Sequence, residues 1–545
     1  MLPLRFLAFA VSLLATLAGI LCWSRGGVWP VLALIGGTLS LVGLLDLLQT
    51  RHAIRRNYPI LAHLRFLIEA IRPELRQYLI EGDTDEQPFS RTQRALVYQR
   101  AKNVVDKRPF GTQLAVYATG YEWINHSLLP TELGGHDFRI AIGGPQCTQP
   151  YSCSVFNISA MSFGALSANA ILALNEGARR GNFYHDTGEG SISRYHREPG
   201  GDLVWEIGSG YFGCRTEAGA FDPERFARNA ASPQVKMIEL KLSQGAKPGH
   251  GGVLPGAKVT AEIAAARGVP VGTDCISPAR HSAFHTPREM LHFIAQLRTL
   301  SGGKPTGFKL AIGHPWEFFA LAKAMLESGQ WPDYIVVDGG EGGTGAAPLE
   351  FSDHVGMPLR EALLLVHNTL IGCNLRQHIR LGAAGKIVSA FDLARVSALG
   401  ADWANSARGF MFALGCIQAQ SCHTGTCPTG VTTQDALRQR ALVVPDKAAR
   451  VHQFHRNTLV ALKELLAAAG LTHPDQLGPE HVLKRVGPSE IRSFAQLYPT
   501  LRPGELLDGA GASLHPVFRQ FWPLAHADSF APPSGVQALW ASKVA

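Results

Sequence analysis

Two unbroken apolar runs open the chain, and a long alternation of short apolar and amphipathic segments follows. Residues 6–23, FLAFAVSLLATLAGILCW, and 28–45, VWPVLALIGGTLSLVGLL, carry no charge. Each is near the minimum length for crossing a hydrocarbon core of about 30 Å. SRGG joins them as a tight turn, so residues 1–50 are predicted to form a transmembrane helical hairpin. A signal peptide ending near Cys22 is the competing reading, but it leaves the second run unexplained, and GILC is a poor lipoprotein box. Arg51, Arg55 and Arg56 come next. By the positive-inside rule they place the bulk of the chain on the cytoplasmic side of an inner membrane. Residues 51–149 read as a juxtamembrane helical linker and lead-in, whose arginines either touch anionic headgroups or face water.

From about residue 150 the period changes. Eight β-rich runs appear: VFNISA (155–160), GNFYHDT (181–187), VKMIELKL (235–242), VPVGTDCI (269–276), TGFKLAI (306–312), YIVVDGG (334–340), IRLGAAG (379–385) and ADWANSARG (401–409). Amphipathic stretches such as SANAILALNEGARR and PREMLHFIAQLRTL separate most of them. Strands alternating with helices predict an α/β fold, a (β/α)8 TIM barrel over residues 150–435. A doubly wound sheet is the runner-up, but no G-x-G-x-x-G opens a helix after the first strand. Residues 436–545 read as a C-terminal helical extension. His452 and His455 there share a helix face and read as core or surface residues rather than ligands.

Composition narrows the function. Hydrophobic residues at 46% and charged residues at 17% describe a globular, slightly apolar chain. The net charge of +8 is not gathered into basic stripes with aromatics between them, which argues against nucleic acid. Nine cysteines, six of them scattered singly, make a poor disulfide framework and fit a reducing compartment.

Barrel chemistry sits at the carboxyl ends of the strands, and here those ends are polar or glycine-rich. DGGEGGTG (338–345) supplies Gly340, Gly342 and Gly343, a run whose backbone N–H groups a phosphate can approach. GAAGKIVSAFD (382–392) supplies Gly382, Gly385 and Lys386 and runs into a helix N-terminus. SARGF (406–410) adds Arg408 and Gly409. The last two loops follow strands seven and eight, where barrels hold phosphate. A phosphorylated flavin is expected, FMN rather than FAD, because no second nucleotide-binding domain is visible. Lys309 is predicted to point inward, either to stabilise charge on a reduced ring or to form a salt bridge inside the barrel.

The segment GCIQAQSCHTGTCPTG (415–430) places Cys416, Cys422 and Cys427 at C-x5-C-x4-C spacing with proline after the last. Zinc with His423 as a fourth ligand, a disulfide plus a free thiol, and buried structural cysteines are all open readings. An iron–sulfur cluster is a fourth: it wants soft thiolates, and three of them serve three irons.

AMSFGALS, DTGEG, KLSQGAKPGHGGVLPG, DGGEGGTGAAP and the cysteine cluster, in this order, resemble the FMN-binding synthase domain of glutamate synthase. The whole chain resembles the shorter stand-alone forms. The resemblance implies a barrel with FMN and a 3Fe-4S cluster held by Cys416, Cys422 and Cys427. It implies hydride transfer to a 2-imino acid formed from 2-oxoglutarate and ammonia. Lys241, Gln244, Lys247 and Arg267 would then lie near the 2-oxoacid, Glu189 at the site of ammonia arrival, and Met161 and Ser162 beside the flavin. The chain opens with apolar spans where the full synthase opens with a glutaminase domain. Free ammonia, an amine or a separate glutaminase would therefore supply nitrogen, and a ferredoxin-like or membrane donor the electrons. The other readings are an FMN enzyme of another 2-oxo or 2-hydroxy acid, or a non-catalytic zinc-binding membrane scaffold.

Overall fold

The computed structural model describes residues 4–49, 52–83, 85, 87–509 and 515–541, and Arg51 lies outside them. Two compact units, residues 1–85 and 86–545, are described separately.

In the first unit, α1 (Leu7–Leu21) and α2 (Val28–Leu48) pack antiparallel. Small residues bring them together: a Cβ on Gly19 would meet the backbone of Ala33, and one on Gly36 would meet Thr16. Ser12, Thr16 and Ser40 hydrogen-bond across this seam, at 3.1 Å and 3.2 Å from the Ser40 hydroxyl. Small and hydroxylated residues at the contact are what helix pairs use where the surroundings are as apolar as their side chains. The outward leucines, among them Leu14, Leu21, Leu34 and Leu48, are exposed. By length and composition α2 can cross a bilayer: its 21 residues span about 31 Å at 1.5 Å per residue. The first helix has only 15 residues, about 22 Å, shorter than the uninterrupted apolar run that predicted it. After a short helical turn at Ala53–Asn57, the longer helix α3 (Leu61–Leu75) follows and passes into a single wide turn at Arg76–Ile80.

The second unit is built on a closed barrel of eight parallel strands: β1 (Phe156–Ile158), β2 (His185–Asp186), β3 (Leu203–Ile207), β4 (Val235–Lys241), β5 (Thr306–Leu310), β6 (Tyr334–Asp338), β7 (Arg380–Ala384) and β8 (Trp403–Ser406). Neighbours in the chain are neighbours in the sheet, and β4 closes on β5 (Lys241 opposite Lys309) and β8 on β1 (Asn405 opposite Asn157). Two strand assignments differ from the sequence pattern. LVWEI at 203–207, every residue buried, is the third barrel strand. The run at 269–276 is not in the barrel: only Cys275–Ile276 is extended, and it pairs antiparallel with Val253–Leu254. The second difference follows from the path of the chain after β4. The chain leaves the barrel wall at Lys241, builds a hairpin and a short helix (Ala261–Arg267) above it, and returns at Thr306.

Inside the barrel, alternate residues form layers. Tyr184, Val204, Met237, Tyr334, Val336 and Trp403 fill the lower one, and Ile142 and Cys153 of the hairpin Arg139–Ile142/Tyr151–Ser154 plug it from below. Gly382 belongs to this layer, since a Cβ there would lie 2.5 Å from the Trp403 ring. The tail is not helical throughout. Its long helix α4 (Val444–Ala468) packs on the barrel, but Val482–Arg485 and Ile491–Ser493 form a three-stranded sheet with Glu122–Ile124 of the lead-in. His455 is a core residue of α4, its ring 3.9 Å from that of Phe183 and its Nε2 3.0 Å from the Ser154 hydroxyl.

Candidate functional site

The layer above Tyr184 and Trp403 is charged. Asp186, Glu206 and Glu239, from three adjacent strands, place carboxylate oxygens within 4.8 Å of one another, all buried. Lys309 enters from β5, hydrogen-bonds Glu206 and lies 3.5 Å from Glu239. Burial opposes the lysine's charge, but Glu206, Glu239 and Asp186 outweigh it and hold Lys309 well above its ordinary range. Burial raises Glu239 and Asp186 in turn, because three carboxylates share one ammonium.

Lys309 also reaches the floor of a cavity of about 690 Å³ at the carboxyl ends of the strands. Gly340, Gly342, Gly343, Gly385, Lys386 and Arg408 line it too. A Cβ at Gly343 would sit 2.5 Å from the guanidinium of Arg408, which donates to the Thr344 carbonyl at 2.8 Å, so the arginine would have to shift to admit one. Lys386 adopts a left-handed conformation, φ 52°, directly after Gly385, so the loop turns sharply at the cavity wall. Asp338 accepts from the Gly245 N–H at 2.9 Å; burial pushes its carboxyl up to about 6 despite Lys309. Gln87, Pro88 and Phe89 complete one wall, a contribution from the lead-in that no motif in that segment announces. Gly382 and Gly409 do not line this cavity: the first packs under Trp403, and the second donates to the Ser406 hydroxyl.

A second cavity, about 340 Å³, adjoins the first and shares Gln244, Gly343, Arg408 and Cys422 with it. Glu189, Lys241, Lys247 and Arg267 converge there with Gln244, and so do Met161 and Ser162, which lie on this side rather than in the larger space. Lys241 pairs with Glu189 at 3.1 Å. Burial raises the Glu189 carboxyl, but Lys241, Arg267 and Lys247 together bring it below its usual range. Burial, with Lys241 beside it, lowers Lys247. The Glu189 carboxylate fits between two chain segments because both present glycine: a Cβ on Gly208 or on Gly252 would approach its oxygens to 2.6 Å. Arg267 is buried against the Phe212 ring, 5.3 Å from its centroid, and donates to the Phe163 carbonyl at 3.3 Å. His281 fixes the loop by bonding the Lys241 carbonyl at 2.8 Å, and burial lowers its ring to about 4.

Cys416, Cys422 and Cys427 line one small pocket with Met411 and are all reduced. Tyr98 donates to the Cys416 carbonyl at 2.6 Å, and Lys258 to that of Cys422 at 2.9 Å. Lys258 also lines the second cavity, a role visible beforehand only as a lysine trailing the KLSQGAK segment. Burial raises Cys416 to about 11. Burial also raises Cys427, but hydrogen bonds with Thr429 and Thr432 prevail and bring it to about 7. Cys422 and His423 face both larger cavities, so the cysteine loop forms part of their common wall.

The sequence matches the profile of the conserved region in glutamate synthase over residues 146–472, more than half of the chain. It is 39% identical to the glutamate synthase large subunit-like protein YerD of Bacillus subtilis over 479 residues, 80% of this chain and 90% of that protein. It is 36% identical to the archaeal glutamate synthase (NADPH) of Methanocaldococcus jannaschii and 35% identical to the archaeal-type glutamate synthase (NADPH) of Thermotoga maritima. Those alignments cover 61% and 60% of this chain, and the chain spans 62% of the length of each of those two relatives.

Proposed function

The chain belongs to the glutamate synthase family, and from that premise we propose that it is an FMN-dependent oxidoreductase converting a 2-oxo dicarboxylate and ammonia, or an amine, to the amino acid. One observation carries this reading: Glu189, Lys241, Gln244, Lys247 and Arg267 converge on a cavity that opens into the glycine-lined one. The larger cavity suits FMN. It combines volume, a glycine loop against which Arg408 packs at Gly343, and the cations Lys309, Lys386 and Arg408. Gly342, Gly343, Gly385, Lys386 and Arg408 would hold the phosphate end, and Lys309 would offer its charge to the ring. Bound there, the flavin supplies hydride.

The chain's own residues do the rest. Lys241, Lys247 and Arg267 give a dicarboxylate cationic partners at both ends, and charge-assisted hydrogen bonds fix its orientation. Glu189 stays ionised because Lys241 is 3.1 Å away, so its carboxylate can attract and hold an ammonium ion beside the substrate carbonyl. Gly208 and Gly252 flank that carboxylate closely.

Cys416, Cys422 and Cys427 would ligate a 3Fe-4S cluster. All three are free thiols on one pocket, and Cys427 is already eased toward thiolate. A relay through the cluster to the flavin is supported by Cys422 facing both cavities. The exposed apolar surface of α1 and α2 supports attachment to a membrane through this hairpin, with the barrel on the cytoplasmic side and a ferredoxin-like or membrane electron donor.

The test is anaerobic purification in mild detergent. The flavin released on denaturation should be FMN, with about three irons per chain as three thiolates imply. After reduction, 2-oxoglutarate with ammonium should reoxidise the flavin. A protein that binds no flavin, or whose reduced flavin ignores every 2-oxoacid and amine pair, would overturn the reading.

A further inference from the structure

The first unit carries a surface that neither cavity explains. Plotted at about 100° per residue, Leu61, Leu64, Leu67, Ile68 and Ile71 of α3 fall within one third of the helix circumference. All five are exposed, Leu64 to 59%. Leu79, 77% exposed, continues the stripe through the wide turn at Arg76–Ile80. Arg65, Arg72 and Arg76 stand along one edge of it. Glu69 is held by Arg65 at 2.9 Å, and Glu74 stands on the opposite edge. A water-facing helix would not keep five large apolar side chains on one exposed face.

The start of α3 is pinned to the end of α2. Asp46, buried near the last turn of α2, accepts the Ile60 N–H at 3.0 Å and bonds His63 Nε2 at 2.9 Å. We infer that α3 is an interfacial helix lying on an anionic lipid surface, with its leucine and isoleucine stripe in the acyl boundary and Arg65, Arg72 and Arg76 at headgroup phosphates. This rests on the reading of α2 as a membrane span, which puts the Asp46 end of that helix at headgroup depth. Lipid is the occupant favoured by continuity with the exposed apolar surface of α1 and α2, and by arginines flanking the stripe where a bilayer carries its negative charge.

Hydrogen exchange on the full chain in nanodiscs tests it, comparing zwitterionic lipid with the same lipid plus about one third anionic lipid. Peptides from 61–80 should exchange at least about tenfold more slowly in the anionic discs. The triple variant Leu64→Glu, Ile68→Glu, Ile71→Glu should lose that protection while peptides from 28–48 stay protected. Arg65→Gln, Arg72→Gln, Arg76→Gln should abolish only the difference between the two lipids. Rapid exchange across 28–48 would mean the membrane reading has failed. Protected 28–48 with 61–80 exchanging alike in both lipids would overturn the inference alone, whether the helix is free in water or covered by protein.

Discussion

Lys309 on β5 is hydrogen-bonded to Glu206 on β3, across the barrel lumen and two strands away. That ammonium is the counter-ion for three buried carboxylates, so its removal should be far more damaging than its replacement of packing volume suggests. Lys309→Met is expected to destabilise the fold by about 3–5 kcal/mol, the cost of leaving buried charge unpaired. Glu206→Gln should cost much less, because Glu239 still faces the lysine. Denaturant unfolding of both variants checks the order, and equal stabilities would reject the pairing.

Lys247 borders the smaller cavity and is absent from the lining of the larger one. Lys247→Ala should therefore leave FMN bound and slow 2-oxoacid-dependent reoxidation of the reduced flavin by about 10- to 100-fold, the worth of one hydrogen bond to a charged group. Stopped-flow absorbance at saturating ammonium reads this directly. Unchanged reoxidation would remove the lysine from the substrate's surroundings.

Two glycines that read alike in the sequence should fail differently. Gly382→Ala pushes a methyl against Trp403 and should cost about 1–3 kcal/mol of stability by overpacking, with flavin affinity altered only through that loss. Gly343→Ala meets the Arg408 guanidinium at the cavity wall. It should weaken FMN binding, read by titrating flavin into apoprotein, with a smaller shift in melting temperature.

The buried histidines should withdraw stability before acid protonates ordinary carboxylates. Burial lowers His281 and His367 to about 4 and His455 to about 3, against an ordinary value of 6.5. Their folded values are depressed, so the stability they contribute is complete above pH 6.5 and drains as pH falls toward 4 and then 3. Asp186 and Asp338, raised by burial to about 7 and about 6, pull the other way, so the slope of melting temperature from pH 7.5 to 4.5 is the sum of the two. Replacing His455, which stacks on Phe183, by Phe should flatten part of that slope. A slope untouched by the substitution would show that His455 charges as readily folded as unfolded.

Most of the barrel was legible because apolar runs with polar carboxyl ends carry their own punctuation. Leu203–Ile207 was not, because Glu206 interrupts an otherwise apolar strand and the lysine that neutralises it stands 103 residues further along. Val269–Ile276 misled for the opposite reason, since valines beside a proline and a glycine look β-like whether or not a wall needs them. At the site, the motif residues that came together were those whose chemistry requires a partner, such as Glu189 with Lys241. The glycines were ambiguous. Local sequence cannot distinguish a glycine that admits a ligand from one that admits Trp403, because the distinguishing ring comes from the next strand.

The departure of the chain from the barrel wall after Lys241 has a consequence for how such a protein can change. Gln244, Lys247, Arg267 and Cys275 all sit on the excursion between β4 and β5. The wall itself contributes Lys309, Asp338 and the two terminal loops that face the larger cavity. Selection on the excursion can therefore retune the smaller cavity while most of the lining of the larger one is inherited intact. Relatives with the same wall and different excursions should share redox properties and diverge in substrate.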